Sequence, residues 1–271
     1  MERPVSFALF LIIGFFAQFT DGALGMGYGV LSASLLISMG ILPALASAAV
    51  HTAEIGTALV SGLSHLKFGN VRKDWLLLLI IPGSLGGATG AWFLASVPGH
   101  TMVPFVASIL LIMGLMVLYR FAQSEKSNAL PVSAAIPVPI PAASVRPQIS
   151  RRRLAGIGFV AALVDAVGGG GWGPIATPTL ILSQHEEPRK VIGTVNLAEF
   201  FITVVIAATF FTALGTEEYD WGMIGTLLLG GVIAAPIAAY VCRLVPPRPL
   251  GIMVGIALIA FNVRTLLITL L

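Results

Sequence analysis

Long apolar runs separated by short polar breaks occupy almost the whole chain, roughly at 5–39, 43–65, 75–96, 101–120, 154–183, 189–214, 221–244 and 249–271. The apolar residues lie on all sides rather than on one helical stripe, the pattern of helices surrounded by lipid and by each other. About 20 such residues cross a hydrocarbon core of about 30 Å, so six of the eight runs fit a single crossing. The two runs that open the halves are too long. Residues 5–39 would form a straight helix of about 52 Å. Each long run holds a glycine cluster near its middle, and glycine neither supports helical geometry nor blocks close backbone approach. A break or hairpin is predicted at each cluster. Non-helical backbone survives at membrane depth only inside protein or beside a wet cavity.

The chain repeats itself. GFFAQFTDGALGMGYG at 14–29 returns as GFVAALVDAVGGGGWG at 158–173, so that Gly14, Asp21, Gly25, Gly27 and Gly29 recur as Gly158, Asp165, Gly169, Gly171 and Gly173. Tyr28 is answered by Trp172. Pro43 and Pro188 begin the second runs, with Glu54 and Glu199 eleven residues further on and His51 answered by Asn196. Asp74-Trp75 and Asp220-Trp221 start the third runs. Two transmembrane repeats are therefore expected, at 1–121 and 154–271, joined by a Pro/Ala-rich cytoplasmic linker at 122–153 whose Pro137, Pro139 and Pro141 exclude a helix. The first run continues past the length of a cleavable leader, so no signal peptide is expected.

Composition narrows the class. Only 10% of the residues are charged and 57% are hydrophobic, where a soluble domain carries about 25% charge. A multi-pass protein of a bacterial inner membrane is expected. The net charge of +3 comes from loops beside the apolar runs and reports orientation, not nucleic-acid binding. The single cysteine, Cys242, permits no internal disulfide and suggests no metal cluster. Lys67, Arg72 and Lys73 follow the second run, whereas Glu217, Glu218 and Asp220 follow the sixth. The two halves should thus face opposite ways. The expected fold is an all-α polytopic membrane protein of two inverted repeats, each a broken helical hairpin plus three transmembrane helices, with both termini external.

Two hairpins entering from opposite faces would bring their tips together near the midplane. Helices restarting at Tyr28-Gly29-Val30 and Gly173-Pro174-Ile175 would point backbone N–H groups inward, and helix N-termini favour oxyanions. An anion cradle is expected from Gly25, Gly27, Tyr28, Gly29, Gly169, Gly171, Trp172 and Gly173, with Ser32, Thr177 and Thr179 as hydroxyl donors. The alternative reading gives the glycines to tight helix packing alone. Asp21 and Asp165 could cap the broken helices or bind a coupled proton or cation. Glu54 and Glu199 sit inside apolar runs, where an acid costs about 2.5–3.5 kcal/mol. His51 and Glu54 share a helix face and form the candidate proton relay, or else a structural hydrogen bond to a tip. Asn196 makes any such relay one-sided. Arg264 could neutralise an anion or one of the acids, or snorkel to the surface. Gly83, Gly86, Gly87 and Gly90 read as helix packing, and a homodimer stays open.

AQFTDGALGMGYG and AALVDAVGGGGWGP, together with the matched Pro…Glu segments and Asp-Trp starts, resemble the paired signatures of the sulfite exporter TauE/SafE family. The resemblance spans both halves. It implies a membrane transporter of sulfur-containing oxyanions such as sulfite or organosulfonates, with Asp21, Asp165 and the repeated glycines in the family motifs. An inside-negative potential favours exit of an anion by about 2.3 kcal/mol per charge at 100 mV, so export needs no coupling ion, whereas import needs a proton or sodium ion. A non-transporting membrane scaffold is the alternative from another class. No enzyme motif is expected: His185-Glu186-Glu187-Pro188 lacks the second histidine of a zinc helix, and neither a nucleophile elbow nor a phosphate loop is present. No cofactor is expected; the partners are a small anion and the lipid bilayer.

Overall fold

The computed structural model describes residues 4–123, 149–184, 188–241 and 247–271, all in helices and short connections. Ten helices follow in order: α1 Pro4–Leu24, α2 Tyr28–Ser38, α3 Pro43–Lys67, α4 Lys73–Ser96, α5 Gly99–Ala122, α6 Arg151–Gly168, α7 Trp172–Gln184, α8 Pro188–Leu214, α9 Trp221–Val241 and α10 Pro247–Leu270. The eight apolar runs became ten helices because both long runs break at their glycines. The protein is an all-α polytopic membrane protein. Six of its described helices are long and apolar enough to cross a bilayer, and large apolar side chains such as Leu77, Ile81, Leu85, Ile112 and Met116 stand exposed, as lipid-facing residues must.

Helix ends follow local chemistry. Pro43 occupies the first turn of α3, where its missing N–H costs nothing. Ser150 caps α6, its hydroxyl accepting from Arg153 N at 3.3 Å. The Arg151–Arg153 triplet, assigned to the linker from sequence, is thereby the first turn of α6. The proline-rich residues 124–148, Cys242 and the 185–187 stretch lie outside the described residues.

Packing pairs each half with the other: α1 lies along α9, α6 along α4, α3 against α8, and α5 against α10. The repeated glycines make two of these crossings possible. A methyl group on Gly14 would strike the Leu227 carbonyl, and one on the equivalent Gly158 would sit 2.9 Å from the Leu79 carbonyl oxygen.

Contacts at the helix ends define two faces. Phe7 and Phe10 of α1, Met39 beyond α2, Leu45 of α3 and Met223 of α9 border one cavity of about 700 Å³. Thus α1 starts and α2 finishes at the same face. At the opposite face Arg72 N, beside the start of α4, donates to Thr194 Oγ1 near the start of α8 at 2.8 Å. Helix α6 runs alongside α4 from that face, with Gly158 near Leu79 and Leu163 near Gly90. The α6–α7 hairpin therefore enters from the second face, and α1–α2 from the first. At 11 and 13 residues, α2 and α7 reach only about 16–20 Å, too short to cross.

Helix α3 carries His51, Thr52, Glu54, Thr57, Ser61 and Ser64, so it is less apolar than its neighbours. It sits between α8, α9 and the hairpins, where protein rather than lipid meets those groups.

Gly170 supplies a test of the tip contact. A Cβ there would overlap the backbone of Val30, so Gly170→Val should lower stability by at least about 1–3 kcal/mol. Gly156→Ala, exposed with nothing within 4 Å, should leave it unchanged or raise it by less than about 1 kcal/mol. Thermal unfolding of both variants in detergent checks the pair.

Candidate functional site at the hairpin tips

Each tip ends its first helix with a left-handed glycine, and the two copies match. Gly25 and Gly169 both have φ 69°, a conformation that penalises any side chain with a Cβ. Gly25 N donates to Asp21 O at 2.6 Å and Gly170 N donates to Asp165 O at 3.0 Å. Gly27, at φ 141°, completes the first break.

The restarting helices would leave amide donors bare at membrane depth. The repeated aspartates meet them. Asp165 Oδ1 accepts from Trp172 N at 3.1 Å, and the Asp21 carboxyl lies toward the Tyr28 backbone amide. In each copy a carboxylate seven residues back reaches over the glycine break toward the next helix.

The tips then lie on each other. A Cβ on Gly29 would stand 2.6 Å from Gly170 Cα, and one on the equivalent Gly173 would stand 2.8 Å from Met26 Cα. Thr177 Oγ1 donates across the junction to Gly25 O at 3.0 Å. Trp172 Nε1 donates to Val195 O at 3.1 Å. Tyr28, its counterpart, keeps a buried hydroxyl without a partner among the described residues. The same holds for Ser32 Oγ, Gln18 Oε1, Asn196 Nδ2 and Thr203 Oγ1.

Buried acids surround this junction. Asp21, Glu54, Asp165 and Glu199 are all withdrawn from solvent and lie within electrostatic reach of one another. His51 is fully buried, with Nε2 3.2 Å from Asp165 Oδ2 and Nδ1 2.8 Å from Ser47 O. Ser47 Oγ donates to Ala166 O at 2.7 Å, which ties α3 to the end of α6. Among the described residues no three metal-ligating side chains converge.

Several sequence expectations change here. The Trp172 amide, expected to face a ligand, is occupied by the protein's own Asp165 carboxylate in this conformation, and the Tyr28 amide has Asp21 beside it. Helix α7 restarts at Trp172, one residue before the expected Gly173, because Asp165 reaches that amide. His51 bonds Asp165 rather than Glu54. Thr179 bonds the Ile175 carbonyl of its own helix. Arg264 stands at the first face, exposed, donating to the Ser38 carbonyl at the end of α2. It serves a helix C-terminus, where a cation is favoured, and is remote from the tips. Ser47, Gln18 and Thr203 were not anticipated. Ser47 was legible, since it precedes His51 by one helical turn.

Comparison with known proteins agrees with this architecture. The model of the sulfite exporter TauE/SafE family matches residues 10–265, nearly the whole chain. The chain belongs to the sulfite exporter TauE/SafE family. It is 44% identical over 259 residues, covering 96% of this chain and 82% of the relative, to the Bacillus subtilis (strain 168) protein named "Probable membrane transporter protein YtnM". No solved structure matches. The TauE/SafE match takes in both hairpins and the buried acids between them.

The caps make separable demands on this family member. Asp21→Ala should cost about 0.5–2 kcal/mol, the loss of one N-cap. Asp165→Ala should cost more, because it also strips His51 of its partner. Equal losses in thermal unfolding would deny Asp165 the second role.

Proposed function

We propose that this protein is a membrane transporter that moves a small sulfur-containing oxyanion, sulfite or an organosulfonate, outward across the bacterial inner membrane. The observation that carries the reading is the pair of hairpins, entering from opposite faces and meeting tip to tip beside buried polar groups. Helices broken at the centre of the bilayer are the usual means of placing a solute site there. The family's description as sulfite exporter and the relative's name as a membrane transporter support the same class.

The halves are read as inverted repeats. The second face holds Lys67, Arg72, Lys73, the Arg151–Arg153 triplet, Arg189 and Lys190, and is taken as cytoplasmic. The first face holds Glu217, Glu218 and Asp220, with the start of α1 and the end of α10, and is taken as external.

A sulfonate presents three acceptor oxygens. Tyr28 Oη, Ser32 Oγ, Asn196 Nδ2 and Thr203 Oγ1 are buried donors without partners among the described residues, and leaving such groups unmet costs about 1–3 kcal/mol each. Their satisfaction by oxyanion oxygens is the proposed driving force for binding. The tips must separate to admit the solute, since they touch in this conformation. Opening one hairpin at a time would expose the site to one face and then the other. The repeated aspartates hold each tip together through that motion.

Thermal stabilisation across a panel of sulfur oxyanions and carboxylates tests the reading, because a ligand of the folded state raises the melting temperature. Sulfite or simple sulfonates should stabilise. Gly27→Leu, Gly171→Leu and Tyr28→Phe should each reduce that effect, and proteoliposomes should show saturable counterflow of the stabilising anion. A protein that binds and moves none of them is a scaffold, not a transporter.

A further inference from the structure

The hydrogen-bond chain at His51 fixes where protons must be. Ser47 Oγ has one hydrogen and donates it to Ala166 O at 2.7 Å. His51 Nδ1 therefore faces acceptors only, Ser47 O at 2.8 Å and Ser47 Oγ at 3.2 Å, and carries the ring N–H. Asp165 Oδ1 is filled by Trp172 N. The remaining contact, His51 Nε2 to Asp165 Oδ2 at 3.2 Å, joins two lone pairs unless a second proton lies between them. Imidazolium with carboxylate and imidazole with carboxylic acid both supply it, and both hold the same number of protons.

We infer that His51 and Asp165 form the proton site of the transport cycle: the proton between Nε2 and Oδ2 fastens the α6–α7 tip to α3 and crosses the membrane with the anion. This rests on the transport reading above for its site and solute, not for its direction, since a proton moving with the anion lets an inward proton gradient draw the anion in. Release sends one H⁺ to water and leaves the Nε2 lone pair facing a carboxylate oxygen in a dry interior, where like partial charges repel strongly. Asp165 also caps Trp172, so the repulsion acts on the tip itself. Other groups press on the pair from every side. Glu54 lies on α3 itself, Asp21 on α1 and Glu199 on α8, while Tyr28 of α2 lies beside Glu54 and Asp21. The Phe210 ring of α8 packs 6.5 Å from the imidazole. An anion entering among these acids gains from each proton present, and by linkage the anion must tighten proton binding in return. The second copy has Asn196 where His51 stands, an amide that takes up no proton, so the device belongs to one hairpin alone.

The test uses purified protein in liposomes, methanesulfonate as a solute whose charge is fixed, and a pH-sensitive dye in the lumen. An inside-alkaline gradient should drive methanesulfonate in, with acidification of the lumen. His51→Asn, which copies the residue of the second repeat, and Asp165→Asn should cut proton movement per sulfonate by at least about tenfold. Wild-type flux without proton movement, or indifferent to the gradient, overturns the proton site and leaves the transport reading intact. Absence of any methanesulfonate or sulfite flux in the wild type overturns the transport reading instead. Melting curves then decide the site separately. Wild type should lose stability as pH rises, relative to His51→Asn and Asp165→Asn, because only it has this proton to lose; identical pH dependence in all three overturns it.

Discussion

A backbone that stops being helical in the middle of a bilayer must meet its own hydrogen-bonding demands, because lipid offers no partner. Everything distinctive about this protein follows from that constraint. The chain breaks twice, at Gly25–Gly27 and at Gly169–Gly171. Each time an aspartate placed before the break stands at the first amide beyond it: Asp165 accepts from Trp172 N, and Asp21 lies toward Tyr28 N. Without those carboxylates the hairpins would carry bare donors at membrane depth. With them, two acids are committed to the interior, and the surrounding structure must accommodate their charge.

The accommodation is shared between the halves. Neither hairpin is covered by its own repeat: α1 lies along α9 and α6 along α4. The tips close on each other through Gly29, Gly170 and Gly173, and Thr177 donates across the junction. The glycines thus serve packing and conformation together. Because the tips touch, a change at one contact alters both hairpins.

The halves share a sequence motif, but their chemistry differs where they meet. Trp172 bonds the Val195 carbonyl while the Tyr28 hydroxyl has no partner among the described residues. His51 links Ser47 to Asp165, while Asn196 leaves a buried amide nitrogen without a partner among the described residues. One side of the junction is bonded through, and the other holds donors without partners among the described residues.

The sequence by itself determined the helical membrane class, the duplication, the eight apolar runs and the two breaks. Those features depend on local composition and on residue spacing along one chain. It also singled out Asp21 and Asp165, as caps or as sites for a coupled proton or cation, since a carboxylate before a glycine break has a short-range role. Tertiary structure alone decided the partners. Whether His51 served Glu54 or Asp165 depended on α6 lying beside α3, 114 residues away in sequence, and helical spacing favoured the nearer acid. Arg264 looked free to reach the acids until its helix was seen to end at the face where α2 ends. Side-chain reach is local information, but which helix stands within that reach is fixed only when the two halves pack together.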